Sequence, residues 1–102
     1  MRYAQEGLQI AERLRYDRGR AANLNAVGIV HYLRGDFERA QPLLEEALVL
    51  HQSTGNLKSA GRVAANVGHL HAAVSRHAEA LALYEQAAAL GGKAGDDAGM
   101  AT

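Results

Sequence analysis

Apolar residues recur along this chain at helical spacing, and no stretch alternates strongly enough to read as a strand. The first element spans residues 3–15, with Leu8, Ile10, Ala11 and Leu14 on its inner side. Asp17 is the expected cap of a second helix, about 18–34, that buries Leu24, Val27, Val30 and His31. Gly35-Asp36 marks a break, because glycine accepts the left-handed conformation that ends a helix and Asp36 can cap the next. A third helix runs from Phe37 to about Ser53, with Ala40, Leu43, Leu44, Ala47, Leu48 and Leu50 inward. Thr54-Gly55-Asn56 repeats the stop-and-cap chemistry before a fourth helix over 57–74. The turn Ser75-Arg76-His77 leads into a fifth, about 78–91, ended by the flexible Gly91-Gly92 and Gly95, and Asp96-Asp97 could start another.

Two positions disturb this pattern. Pro42 lies in the first turns of its helix, where it removes a backbone donor and predicts a bend or a late helix start. Ser75-Arg76-His77 lacks the glycine and acid of Gly35-Asp36-Phe37, so that corner is expected to be less firmly set.

The pattern also repeats. Val27, Gly28, His31, Ala40, Leu43, Glu45, Ala47, Leu50 and Gly55 recur forty residues later as Val67, Gly68, His71, Ala80, Leu83, Glu85, Ala87, Leu90 and Gly95. Run backwards, the same offset pairs Glu46 with Glu6, Leu48 with Leu8 and Leu50 with Ile10. A period of this length marks stacked helix pairs, each unit covering its neighbour's apolar face. Residues 1–16 are then the second helix of a truncated repeat, 17–56 and 57–95 are full repeats, and 96–102 begin a further one. Because a stable array needs about three units with polar caps, the chain is expected to be a segment of a longer protein.

Composition narrows the function more than the fold. Eleven basic and eleven acidic residues leave no net charge, and no Lys/Arg tract exists to grip nucleic acid or membrane. Arg13, Arg15, Arg18 and Arg20 are interleaved with Glu12 and Asp17, which makes a solvated, salt-bridged surface. Cysteine is absent, excluding disulfides and thiolate metal sites. No apolar run approaches a membrane span, and Arg2, Glu6, Glu12 and Arg13 interrupt any signal-peptide pattern. A cytoplasmic location is expected. The alanine-rich, Arg-over-Lys composition suggests a bacterial source with a high-GC genome.

Asn66-Val67-Gly68-x-x-His71, Gly28-x-x-His31-Tyr32-x-x-Gly35-Asp36-Phe37-x-x-Ala40 and Glu46-Ala47-Leu48 together resemble the tetratricopeptide repeat. The likeness is greatest to the long, forty-residue type of kinesin light chains, G-protein-signalling modulators and large bacterial transcriptional regulators. It covers nearly the whole chain, with Ser75 and His77 in place of the usual glycine and aromatic, and with unusually small Ala72 and Ala73. The resemblance implies an all-α, tetratricopeptide-like α-solenoid of about five antiparallel helices. Gly28 with Ala40, and Gly68 with Ala80, are small where two helices cross closely; Ala47 and Ala87 admit the next unit, and Leu44 and Tyr84 fill the gap.

In such arrays the first helices line a concave groove. The resemblance carries a peptide grip onto Arg62 and Asn66, on a stripe with His69 and Ala73 spaced four, three and four apart. Guanidinium presents a planar fork to a carboxylate, and an amide both donates to and accepts from an extended backbone. The neighbouring unit presents Ala22, Ala26, Ile29 and Leu33, with Asn25 and Tyr32 alongside, as an apolar floor. The candidate groove is therefore Arg62, Asn66, His69, Asn25, Ile29 and Tyr32. Against this stands the plainer reading of Arg62 as a solvated helix residue and Asn66 as an interhelical bond.

Other chemistry has little support. His31 and His71 share one repeat position facing a partner helix, as packing residues. His69 and His71 point about 200° apart around a helix, the wrong geometry for joint chelation. His51 and His77, near a helix end and a turn, are expected to be solvated. Gly91-Gly92-Lys93 follows no strand and precedes no Ser or Thr, so it is not a phosphate loop. Glu45 and Glu46 are adjacent on a surface rather than facing. No enzyme activity, metal or cofactor is expected.

The expected function is a protein- or peptide-binding scaffold without direct nucleic-acid or membrane contact. The alternative is the sensory or autoinhibitory arm of a transcriptional regulator or signalling ATPase whose other domains lie elsewhere. Open ends, with Ile10 and Leu14 near one and Leu83 and Leu90 near the other, would also favour a homodimer.

Overall fold

The computed structural model describes the backbone of residues 2–99 and the side chains of residues 12–93. The expected inward placement of Leu8, Ile10 and Ala11 lies outside the described side chains, as does any match of Met100-Ala101-Thr102 to a further repeat. Four helices account for nearly all the described residues: α1 (Arg2–Leu33), α2 (Phe37–Ser53), α3 (Leu57–Ala73) and α4 (His77–Gly99). Successive helices pack side by side, α1 on α2, α2 on α3 and α3 on α4.

The three links share one geometry at a spacing of twenty residues. Helices begin at Phe37, Leu57 and His77, and positive φ falls at Gly35 (80°), Gly55 (74°) and Ser75 (65°). In each, the amide two residues past the cap donates to a histidine carbonyl five back. The three bonds are Asp36 N to His31 O (2.9 Å), Asn56 N to His51 O (2.8 Å) and Arg76 N to His71 O (2.8 Å). A second bond in each, from Gly35, Gly55 and Ser75 to the carbonyl three back, completes a Schellman turn. Ser75 thus adopts the same conformation as the glycines. The caps that follow differ: Asp36 accepts from Arg39 N, but the Asn56 side chain makes no cap bond, contrary to expectation. Instead its amide nitrogen lies 3.5 Å from His51 Nδ1.

Two helices run further than their sequence suggested. The expected pair 3–15 and 18–34 is one continuous helix, α1, so the described residues hold four helices rather than five. The physical reason is Arg15, which stands twenty residues before Gly35 where the left-handed residue of a link would fall. An L side chain there opposes the reversal, and Arg and Tyr both fit a helix interior. At the other end α4 passes through Gly91, Gly92 and Gly95 to Gly99, with no new start at Asp96-Asp97. Glycine lowers the cost of a left-handed residue but does not by itself end a helix. Pro42 also delays nothing, since α2 begins five residues earlier. The carbonyl it leaves without a helical donor belongs to exposed Glu38, where water can serve it.

The core lies between α2 and α3. Ala40, Leu44, Ala47 and Leu48 from one, and Ala60, Val63, Ala64, Val67 and Leu70 from the other, form one buried cluster. Leu24, Ile29, Tyr32 and Phe37 pack on it from one side; Leu83, Ala87 and Leu90 pack from the other. Leu83 and Leu90, expected on an open end, are therefore engaged with the core. A Cβ at Gly28 would fall 2.7 Å from Leu44 Cδ2, and one at Gly68 would fall 2.8 Å from Tyr84 Cε1. Both glycines sit in equivalent surroundings, as the forty-residue period requires.

Several side chains depart from the expected burial. Val27, Val30 and Leu14 are 48%, 46% and 40% exposed, because no helix packs over them. Leu43 and Leu50 are only partly buried. His51, expected in solvent, is 4% exposed. It occupies the link position whose side chain turns inward beneath the reversal, as does buried His71. His77 is exposed.

Candidate peptide-binding hollow

Four of the six expected groove residues meet in one place. Ile29 and Tyr32 from α1, and Asn66 and His69 from α3, line a hollow of about 210 Å³ together with Leu33 and Leu44. Regular spacing explains the gathering: Ile29 and Leu33 are one turn apart, and so are Asn66 and His69. Leu44 supplies the floor because Gly28 lets it come close beneath α1.

The polar members are held. Asn66 Nδ2 donates to Asn25 Oδ1 at 3.3 Å, so Asn25 joins the site through its partner. That bond uses one donor of one amide and one lone pair of the other; the remaining donors and acceptors stay unused. His69 Nδ1 is 2.8 Å from the Tyr84 hydroxyl, with the two rings tilted at 5.3 Å between centroids. Tyr32 is braced against Phe37, at 5.6 Å between ring centroids. Arg62 sits one turn before Asn66 on α3, exposed and outside the lining of the hollow. Tyr84, expected only as a gap filler, also orients His69.

A second, larger hollow of about 490 Å³ was not foreseen. Arg15, Tyr16, Gly19, Arg20, Asn23, Leu24, Val27 and Leu43 line it on a different side of α1. Arg15 and Arg20 read as part of a solvated surface and Leu24 and Val27 as buried, so no opening is expected between them. The useful sign was the buried status of the counterparts of Arg20 and Asn23 forty residues on, which only the structure supplies.

Few charges act on either hollow. Arg20 pairs with Glu46 on the surface, where such bridges contribute little. Asp36 lies between Arg39, at 3.5 Å, and His31, at 3.9 Å. Among the described residues no three His, Asp or Glu side chains come together as a metal site. No helix of the described residues is long and apolar enough to cross a membrane.

A family model described as tetratricopeptide repeat matches residues 17–93. That stretch is well over half of the 102 residues, and the chain belongs to the tetratricopeptide repeat family. Members of that family generally serve as non-catalytic scaffolds that bind other proteins. No curated protein and no solved structure matches the chain.

Proposed function

We propose that the hollow between α1 and α3 receives an extended segment of a partner protein. The carrying observation is the amide pair Asn25–Asn66 beside the apolar wall of Ile29, Tyr32 and Leu33. The pair fixes two amides edge to edge, and their free donors and acceptors match a peptide backbone. An apolar wall with a few oriented polar groups is the usual make-up of a recognition site. A hollow of about 210 Å³ suits one or two side chains of the segment, and the rest would run along the helices. Arg62, one turn away, would meet a carboxylate on the segment as it leaves the hollow.

Peptide-display panning on the immobilised chain, followed by titration of the enriched peptide, tests this reading. Asn66→Ala and Arg62→Ala should each weaken the peptide by at least about 1 kcal/mol, through lost hydrogen bonds. Ile29→Asp should abolish binding by placing a charge on the apolar wall. Enriched peptides indifferent to all three substitutions would move the binding surface elsewhere.

A further inference from the structure

The larger hollow on α1 belongs to a different face and does not depend on the peptide reading. Its lining residues Arg20, Asn23, Leu24 and Val27 stand forty residues before Ala60, Val63, Ala64 and Val67. Those four α3 residues are between 0% and 1% exposed, whereas Val27 is 48% exposed. The difference is a missing cover. On α3 the cover comes from α2, through buried Leu44, Ala47, Leu48 and His51. Forty residues before these stand Ala4, Gly7, Leu8 and Ala11, every one small or apolar.

That segment has no helix to lie on while α1 is straight. Thirty-two residues of α1 measure about 48 Å, and the seventeen of α2 about 25 Å. The bond from Arg18 Nη2 to the Thr54 carbonyl, 3.2 Å, marks where α2 ends against α1. Residues 2–14 therefore extend past the end of α2. A straight α1 cannot bring residues 2–14 back onto its own hollow.

We propose that α1 hinges at Leu14-Arg15-Tyr16 and that residues 2–14 fold back into the larger hollow. These three residues fall in the twenty-residue phase of the links at 34–36, 54–56 and 74–76. Arg15 takes the place of Gly35, Gly55 and Ser75, and Ser75 shows that a residue with a side chain can hold this conformation in this chain. Arg20 and Asn23, where α3 has Ala60 and Val63, weaken the apolar seam, so both states are populated. The hollow is a helix-docking site, and its occupant is the chain's own first thirteen helical residues.

The chain has no cysteine, so Gln5→Cys and Ala26→Cys accept paired nitroxide labels cleanly. The straight helix separates those backbones by about 31 Å, and the folded-back state by about 10 Å, the spacing of neighbouring helices. Electron paramagnetic resonance should show a short population that survives a large excess of unlabelled chain. Arg15→Gly should raise it on the order of fivefold, by removing the side chain that opposes the left-handed link. Val27→Asp, on the exposed wall, should abolish the short population while leaving helicity and melting unchanged. A long separation alone, in both the parent and Arg15→Gly, overturns the proposal. So does a short distance that disappears on dilution with unlabelled chain, which would make a second copy the occupant.

Discussion

The ring of Tyr84 lies directly over the Cα of Gly68, so close that a Cβ there would meet Tyr84 Cε1 at 2.8 Å and Cδ1 at 3.0 Å. The ring has little freedom to withdraw, because its hydroxyl is tied to His69 Nδ1 at 2.8 Å. Gly68→Ala is therefore expected to cost roughly 1–3 kcal/mol through overpacking, offset in part by about 1 kcal/mol of helix propensity. Gly92→Ala gives the opposite sign. Nothing lies within 4 Å of a Cβ at Gly92, so only the propensity gain of up to about 1 kcal/mol remains. Denaturant unfolding of both variants decides the matter; equal stabilisation would show that the tyrosine yields.

Ser75 is the one residue other than glycine with positive φ among those described, at 65°. It performs the reversal that Gly35 and Gly55 perform without a Cβ. Ser75→Gly should raise stability by up to about 1 kcal/mol, the left-handed penalty less the added freedom of the unfolded chain. The reciprocal Gly35→Ser should lower it by a similar amount. A Ser75→Gly variant less stable than the parent would mean that the serine hydroxyl contributes more than its backbone costs.

These links show how much of the fold was legible in the sequence. Gly35-Asp36 and Gly55 announce their turns through side-chain chemistry, and the forty-residue identities reveal that the units are equivalent. Ser75 has no such chemistry, and its turn is set by phase and by the packing of α4 on α3. Arg15 marks the converse case: the repeat predicts a turn, but local preference keeps α1 helical. Burial of Val27 and Val30 was expected from an amphipathic stripe, yet burial needs a covering helix, and pattern alone cannot show that it arrives. In the smaller hollow, Ile29, Tyr32, Asn66 and His69 were legible as a face. Their distances to Leu44 and Tyr84 were not, since these depend on how closely two helices approach at a glycine.

Asn25 and Asn66 make a half-buried bond, 3.3 Å long, across two first helices. A double-mutant cycle with Asn25→Ala and Asn66→Ala should give a coupling of about 0.5–1.5 kcal/mol in unfolding free energy, the usual net worth of such a bond. Loss of coupling between the two would mean that water replaces either partner without penalty. The same variants then separate stability from recognition. On the proposed reading, Asn66→Ala should weaken peptide by more than its effect on unfolding explains, because the carbonyl and second amide hydrogen left over from the Asn25 bond would serve the ligand.

His51 makes the stability of the fold depend on pH. Burial holds its imidazole below the ordinary histidine value of about 6.5. Asn56 Nδ2 lies 3.5 Å from Nδ1, and an amide donating there suits the neutral ring with its proton on Nε2. Above about 6.5 the ring is neutral in the folded and unfolded chains alike, and its contribution is fully present. As the pH falls from there towards the lowered folded value, the unfolded chain binds the proton first. Folding must then release that proton, so stability falls. Denaturant midpoints measured from neutral to mildly acidic pH should decline on this side of neutrality. His51→Leu, which keeps the apolar contacts and removes the titration, should flatten the decline relative to the parent. The two proteins differ only at this position, so the difference between the two curves isolates His51. Parallel curves would show that the ring takes up its proton without disturbing the turn at Thr54-Gly55-Asn56.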